Sequence, residues 1–296
     1  MRVFITGSTG FIGSAVTKEL IAAGHHVLGL CRSEEKAAAL AAAGAEVHRG
    51  SVEDTESLRQ GVARSDGVIH LAFNHDFSKF AQNCEDDRRV ITALGAMLRG
   101  TDRPLLVTSG TGMTNTAPGQ RAVEDGATIS AKVIPRAASE EAANAALADG
   151  VNVTVVRLPQ VHDTVKQGLV TSVIAIARDK GVCAYVGDGQ TRWPAAHVRD
   201  VARLYRLAIE KAAPGAKYHA VAEEGVPMRN IVETIGRRLK LPVKSIAVEE
   251  APAYFGWMAM FATHDMPASS AQTRQRLGWE PTGPGMIADL EKLQVT

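Results

Sequence analysis

The chain has 296 residues and a formal net charge of +1, from 33 lysines and arginines against 32 aspartates and glutamates. This balance, and the lack of a basic stretch with interleaved aromatic residues, argue against a nucleic-acid partner and favour small molecules. The cysteines are far apart and outside any Cys-x-x-Cys pair, so we expect no disulfide framework, no metal site and a reducing, cytoplasmic environment: Cys31, Cys84 and Cys183.

The first predicted elements are a buried strand at residues 3–5, a glycine-rich turn, a helix at 11–23 and a second strand at 26–31. No signal-peptide pattern precedes the strand and no apolar run is long enough to cross a bilayer, so we expect neither export nor a membrane partner. Glycines in such a turn let the backbone approach a pyrophosphate at a helix N-terminus. The turn therefore predicts a dinucleotide site that includes Gly7, Ser8, Thr9, Gly10, Phe11, Ile12 and Gly13.

The end of the second strand indicates which dinucleotide is bound. An acidic residue here would suit the free ribose hydroxyls of NAD, whereas an arginine suits the 2′-phosphate of NADP. The sequence has Arg32 and Ser33, and the first acid is Glu34. We therefore expect NADP(H), with NAD as the alternative; Arg32 could instead be a solvated side chain paired with Glu34 or Glu35.

Further along, short runs rich in Val, Ile and Leu alternate with amphipathic stretches. Strands are predicted at 45–48, 68–72, 105–108 and 151–157, and helices at 34–43, 55–62, 80–98 and 135–149. This alternation is typical of an α/β fold with a doubly wound parallel sheet. Glycines just past the helices predict left-handed C-terminal caps: Gly24, Gly44, Gly100 and Gly150.

After residue 157 the pattern becomes irregular, because nine of the twelve prolines fall there. We expect a dinucleotide-binding core over residues 1–157, followed by a small irregular C-terminal substrate region over 158–296. This region would be interleaved with the last strands of the sheet and would close over their carboxyl ends.

Five motifs together resemble the extended and atypical branch of the short-chain dehydrogenase/reductase superfamily, the NAD-dependent epimerase/dehydratase-like proteins. They lie at residues 6–13, 68–72, 107–109, 157–159 and 197–202. The resemblance implies a Rossmann fold and a cofactor site near the nicotinamide and its ribose formed by Leu71, Ala72, Phe73, Thr108, Ser109, Leu158, Pro159 and Val161. It also places Ser51 and Val52 by the adenine, although the family usually has an aspartate where Ser51 stands.

Catalysis in that family uses a Tyr-x-x-x-Lys pair plus a Ser or Thr, but no tyrosine lies in the corresponding part of this chain. Aligned without gaps, the helix glutamate of the family falls on Glu140, which puts Arg136 at the lysine position and Lys132 at the tyrosine position. Thr111 is the hydroxyl nearest the serine position. These three are the catalytic candidates. If the alignment is shifted by one helical turn, Arg136 takes the tyrosine position and Glu140 the lysine position. Alternatively, Lys132 is an exposed loop residue with no catalytic role.

Other residues are weaker candidates. His75 and His162 follow predicted strands and could carry protons at the rim of the site, or be loop histidines without a catalytic role. The glycine-rich segment 185–194, which contains Trp193, could form the substrate rim or be a structural loop. We expect His197 and Asp200 to begin and cap a helix at 201–210.

Two functions follow from these residues. The first is an NADP(H)-dependent oxidoreductase, or a related epimerase/dehydratase-like enzyme, that acts on a small polar substrate with a replaced proton donor. The second is a non-catalytic NADP(H) sensor that acts on a protein partner. The alanine-rich helix at 136–148 further suggests a homodimer.

Overall fold

The computed structural model describes residues 1–114, 116–117 and 119–294. The strands are β1 (Arg2–Thr6), β2 (His26–Cys31), β3 (Glu46–Arg49), β4 (Gly67–His70), β5 (Leu105–Gly110), β6 (Val153–Leu158), β7 (Gln160–His162), β8 (Cys183–Val186), β9 (Arg192–His197), β10 (Lys217–His219), β11 (Glu223–Pro227) and β12 (Val243–Ile246). The α-helices are α1 (Phe11–Ala22), α2 (Glu34–Ala42), α3 (Thr55–Ala63), α4 (Phe80–Leu98), α5 (Ala138–Ala148), α6 (Val170–Lys180), α7 (Val198–Lys211), α8 (Met228–Leu239), α9 (Ala251–Phe255), α10 (Ala259–Ala262), α11 (Ala271–Leu277) and α12 (Met286–Glu291).

Seven strands form one parallel sheet in the order β3-β2-β1-β4-β5-β6-β10. The order reverses direction between β1 and β4, which is the doubly wound Rossmann arrangement and confirms the predicted fold class. The predicted strand and helix bounds of the first 157 residues lie within two residues of those observed, except that a 3₁₀ turn at Pro135–Ala137 precedes α5. The strand at the far edge, β10, comes from well beyond residue 157.

The helices cover both faces of this sheet because consecutive strand residues point to opposite sides. Val3 and Ile5 of β1 pack in one apolar cluster with residues of α1, α2 and α7. Phe4, between them, packs in a second cluster with residues of α3, α4 and α5. The four predicted cap glycines all have positive φ, between 75° and 89°, and the caps are confirmed. Among the described helices, none has both the length and the apolar character needed to span a bilayer.

The C-terminal part of the chain has its own core, built on a three-stranded sheet (β11-β9-β7) and a two-stranded sheet (β12-β8). Trp193 is 0% exposed within this core, so the prediction that it lies at a substrate rim is wrong. The helix predicted at 201–210 is α7, and His197 is its N-cap. Asp200 does not cap it: its carboxylate accepts hydrogen bonds from the backbone N–H groups of Thr282 and Gly283.

Candidate functional site

In the glycine turn between β1 and α1, the backbone packs directly against the backbone of the segment after β4, at the carboxyl edge of the sheet. Gly7 has φ +71°, and a Cβ there would lie 2.7 Å from the backbone nitrogen of Ala72, in the segment after β4. A Cβ at Gly13 would lie 2.0 Å from the carbonyl oxygen of Gly7. Any side chain at these two positions would push the turn away from the sheet, so both glycines are required for the observed approach.

The start of α1 is open to an anion. Gly10 is its N-cap and supplies no side chain, and the first turn of α1 carries no acidic residue. The backbone N–H groups at a helix N-terminus and the helix dipole together favour a negatively charged group. These features fit the pyrophosphate of a dinucleotide at residues 7–13, with the partly buried side chains of Phe11 and Ile12 packed on the core below.

The end of β2 places Arg32 beside this turn with its side chain 73% exposed and a 3.9 Å contact to Glu53. Glu34, one of its two expected partners, instead pairs with Arg49. The hydroxyl of Ser33 accepts a hydrogen bond from the backbone of Lys36 and so caps α2. Ser51 and Val52 follow β3 and are half-buried at the same edge. Arg32 is therefore free to reach a bound anion.

A chain of buried polar side chains lies beneath the ends of β1 and β4. The Thr6 hydroxyl lies 2.7 Å from Nδ1 of His70, and Nε2 of His70 donates to Oδ1 of Asp87 at 2.9 Å. On the other side, Oδ2 of Asp87 accepts from Nη1 of Arg136 at 3.0 Å. Ser139 also bonds to both Asp87 and Arg136. The catalytic candidate Arg136 is thus fixed from below by a carboxylate on α4.

Burial raises the pKa of Asp87, but the hydrogen bond from His70 and the charges of His70 and Arg136 outweigh it, and the net pKa is below the ordinary carboxyl value. Asp87 is therefore ionised and balances the guanidinium charge. Nη2 of Arg136 donates to the carbonyl of Thr108 at 3.0 Å, and its Cζ lies 4.2 Å from the centre of the Phe73 ring. Arg136 consequently lies at the carboxyl ends of β4 and β5, where a nicotinamide would lie in this fold.

The two neighbouring hydroxyls of β5 face opposite sides of the sheet. Thr108 donates to the carbonyl of His70 and lies 2.7 Å from the hydroxyl of Tyr205 on α7. Ser109 is buried and donates to Glu140, which forms a two-point ion pair with the fully buried Arg157. Thr108 is half-buried near the predicted cofactor site, whereas the Ser109 hydroxyl is occupied by its hydrogen bond to Glu140.

The remaining predicted site residues are spread along the same edge. Lys132 is exposed in the turn before α5. Thr111 is buried, with its hydroxyl 3.5 Å from the carbonyl of Leu158. Leu71, Ala72, Leu158 and Pro159 are half-buried, and Val161 is 4% exposed in β7. The structure brings Arg136, Thr108 and Phe73 together, but it does not bring the ammonium group of Lys132 into that cluster.

The two histidine candidates differ. The ring of His75 contacts the ring of Phe73 edge-on at 5.3 Å, next to Arg136, and burial followed by the charge of Arg136 lowers the pKa of His75. His162 is 0% exposed: its Nδ1 lies 2.7 Å from Asp289, and burial lowers its pKa as well. The expectation that His162 lies at the rim is wrong, because α12 covers it.

Sequence reasoning missed His70, Asp87 and Tyr205. A signal for Asp87 was available, since it occupies the apolar stripe of α4 together with Cys84 and Ile91. An acid in such a stripe requires a buried partner. Tyr205 had no local signal, because α7 reaches β5 only through the tertiary fold.

Comparison with known proteins agrees with this geometry. A sequence profile of the NAD dependent epimerase/dehydratase family matches residues 3–222. An uncharacterized protein of Schizosaccharomyces pombe is 46% identical over 291 residues, 98% of each chain, and one of Saccharomyces cerevisiae is 43% identical over 294 residues, again 98% of each. The crystal structure of a dTDP-glucose 4,6-dehydratase from Streptomyces venezuelae, with NAD and TYD bound, has the same fold (TM-score 0.79, 18% identity, 99% of this chain and 95% of that one). The chain therefore belongs to the NAD-dependent epimerase/dehydratase family.

Proposed function

We propose that this protein is an NADP(H)-dependent oxidoreductase, related to the epimerases and dehydratases of its family, that acts on the carbonyl or alcohol group of a small molecule. The observation that carries this proposal is the position of Arg136. Its guanidinium is bound by the buried carboxylate of Asp87 and lies at the ends of β4 and β5, beside a glycine turn that fits a pyrophosphate. Such a cation next to a nicotinamide stabilises the negative charge that develops on a carbonyl oxygen during reduction.

The residue roles follow from the contacts. A guanidinium group has five N–H donors and keeps its proton in proteins, so Arg136 acts by charge and hydrogen bonding and is not an acid. Asp87, Ser139 and the Thr108 carbonyl use part of these donors, and the rest are available to a substrate oxygen or the cofactor ribose. A bound nicotinamide supplies or accepts the hydride. The proton is exchanged with solvent, since Lys132 is exposed and lies outside the cluster around Arg136.

The NADP preference is supported by Arg32, whose exposed side chain forms, among the residues that the structure describes, a single 3.9 Å ionic contact, to Glu53. A 2′-phosphate would accept charge-assisted hydrogen bonds from it. Ser33 keeps its hydroxyl proton available while it caps α2. We assign Ser8, Thr9, Ser51 and Val52 to the same nucleotide site, with the other cofactor contacts as the resemblance implies.

We further propose a cytoplasmic homodimer that uses the layer of α4 and α5. These helices pack closely, since a Cβ at Gly95 would lie 2.9 Å from Cβ of Ala146. On its outer side, α5 exposes the small side chains of Ala145 and Ala148, which would let a symmetry-related copy approach closely. Light scattering on the purified protein tests this: a mass of one chain would contradict it.

A second function, a non-catalytic NADP(H) sensor, is favoured by one observation. The tyrosine hydroxyl nearest to Arg136 in the described part of the chain belongs to Tyr205, which is 0% exposed, and burial raises its pKa well above the ordinary value. A phenol so placed cannot exchange a proton with a substrate. Single-turnover oxidation of bound NADPH against a panel of carbonyl compounds separates the two functions. Oxidation by any member supports the enzyme, and tight NADPH binding without oxidation supports the sensor.

A further inference from the structure

A row of aromatic rings runs outward from Arg136 to the surface of the C-terminal region. The Phe73 ring lies under the guanidinium, 6.5 Å from Phe80, and Phe80 is stacked on Phe77 at 5.6 Å. Phe77 stacks in turn on Trp257 at 4.3 Å and 16° between planes, and Trp257 contacts Phe261 at 6.2 Å. We call this row the aromatic ladder; it comprises Phe73, Phe77, Phe80, Trp257 and Phe261.

The outer end of the ladder is partly exposed, although Phe261 packs against the C-terminal core. Trp257 is 46% exposed and Met260 is 64% exposed, whereas Trp193 and Trp279 are 0% exposed. The chain has 7 Phe, 4 Tyr and 3 Trp, and five of these few aromatic residues lie in the ladder. Exposed apolar residues clustered at one place on a soluble protein mark a binding surface more often than chance. The ladder joins such a surface directly to the candidate catalytic position.

Two arginines at this edge of the molecule already have carboxylate partners. Arg136 is balanced by Asp87, and Arg192 forms a two-point ion pair with Asp265. The Arg192–Asp265 pair lies near the segment that follows β5. Met266, the residue after Asp265, has its sulfur 3.7 Å from a Cβ placed on Gly112. A diphosphate would bring further negative charge close to these carboxylates, whereas an apolar group needs no counter-charge.

We propose that the substrate is a carbonyl compound bearing an aromatic or alkyl group, which packs against the aromatic ladder while the carbonyl oxygen contacts Arg136. This inference rests on the proposed function and adds an apolar group to the small polar substrate that the sequence led us to expect. The Arg136 guanidinium covers one face of Phe73, and Phe77 is stacked on Trp257, so such a group would pack against the ring edges of the ladder and the exposed part of Trp257. Trp257 forms the outer wall of this site.

The test uses the fluorescence of Trp257, because acrylamide reaches an exposed tryptophan and not the two buried ones. The protein is loaded with NADP⁺, so that no turnover occurs, and quenching is measured with 4-phenyl-2-butanone, with 2-butanone and with UDP-glucose. The two ketones share the same reacting group and differ by the phenyl ring. We expect the phenyl ketone to lower the quenching constant about twofold and the other two to leave it unchanged.

Variants make the result specific. Phe77→Ala should abolish the protection by the phenyl ketone, while Val248→Ala, at an exposed residue outside the ladder, should retain it. Protection by UDP-glucose, or equal protection by both ketones, would overturn the inference, as would no protection by any of the three. If the phenyl ketone protects Trp257 but NADPH is never oxidised by it, the ligand class stands and the proposed oxidoreductase function fails.

Discussion

Asp87 holds Arg136 at the carboxyl end of β5, with Oδ2 of the carboxylate 3.0 Å from Nη1 of the guanidinium. The other oxygen of Asp87 is bound to His70, so a residue of α4 fixes groups that belong to β4 and to the segment before α5. Both carboxylate oxygens of Asp87 accept hydrogen bonds from buried protein groups, and the remaining N–H donors of the Arg136 guanidinium face the site. The position of the charge is therefore set before any ligand binds, which lowers the cost of reorganisation during the reaction.

Replacing Asp87 with Asn should destabilise the protein by about 3 kcal/mol, because it leaves Arg136 without a buried counter-charge. The pKa of Asp87 is below its ordinary value of 3.8, so its stabilisation is complete above pH 3.8 and is lost as the pH falls through the folded-state pKa. Urea unfolding at several pH values measures this. Asp86→Asn, at the exposed neighbouring position, is the control and should change little. Equal stability of the Asp87 variant and the wild type would refute the charge balance.

Arg136→Met should lower single-turnover NADPH oxidation about 100-fold, because the developing oxyanion loses its stabilising donor. Arg136→Lys should lie in between, since an ammonium keeps the charge but cannot bond to Asp87 and the Thr108 carbonyl in the same fork geometry. Arg59→Met, on the exposed surface of α3, serves as the control. Unchanged oxidation in Arg136→Met would remove Arg136 from the mechanism.

Gly7→Ala should weaken dinucleotide binding at least about 10-fold and destabilise the fold by about 1–2 kcal/mol, since the new Cβ is strained at positive φ and collides with the backbone of Ala72. Gly24→Ala is the matched control, because Gly24 also has positive φ, +85°, but open space around its Cβ position. It should lose stability and retain affinity. Calorimetric titration with NADP⁺ and thermal unfolding distinguish the two variants; equal affinity losses would show that strain alone is responsible.

Arg32→Ala should raise the dissociation constant for NADP⁺ about 10- to 100-fold and leave that for NAD⁺ nearly unchanged, because only the 2′-phosphate uses the guanidinium. Arg99→Ala, at another exposed arginine, controls for net charge. Parallel titrations with both nucleotides are the measurement. Equal losses for NADP⁺ and NAD⁺ would reject the proposed cofactor preference.

Acid should destabilise the fold through His219. Burial, followed by the charge of Arg157, lowers the pKa of this histidine from 6.5 to about 4. The neutral ring is therefore favoured in the folded state, and its stabilisation is present above pH 6.5 and is lost as the pH falls towards 4, up to about 3 kcal/mol. His219→Gln should flatten this pH dependence and His26→Gln, at an exposed residue, should not. An unchanged slope in His219→Gln would contradict the prediction.

The Rossmann core could be predicted from the sequence because its signals are local. The strand–turn–helix at residues 2–22, the alternation of apolar runs and the cap glycines each depend on a few adjacent residues. Arg136 was placed at a candidate position by its spacing from Glu140, which was itself aligned by counting back from Arg157; in the structure Glu140 and Arg157 form a buried ion pair that the sequence had not indicated.

The remaining part of the candidate site depends on contacts between distant segments, which a single sequence does not reveal. Phe77 and Trp257 are stacked although 180 positions separate them, and Tyr205 reaches Thr108 from α7. The misplacement of Trp193 and His162 has the same cause. Trp193 lies near the start of β9 and His162 at the end of β7, as rim residues would, but the C-terminal helices α8 and α12 pack over them.

The seventh strand of the main sheet has a consequence for the order in which the protein folds during synthesis. Because β10 pairs with β6 at the edge of the sheet, β6 keeps a row of unsatisfied backbone groups until residue 219 has left the ribosome. A nascent chain that ends near residue 157 presents that edge to other chains, and pairing between chains competes with native folding. Recombinant fragments cut there should therefore aggregate, whereas in fragments that extend past His219 the edge of β6 is paired with β10.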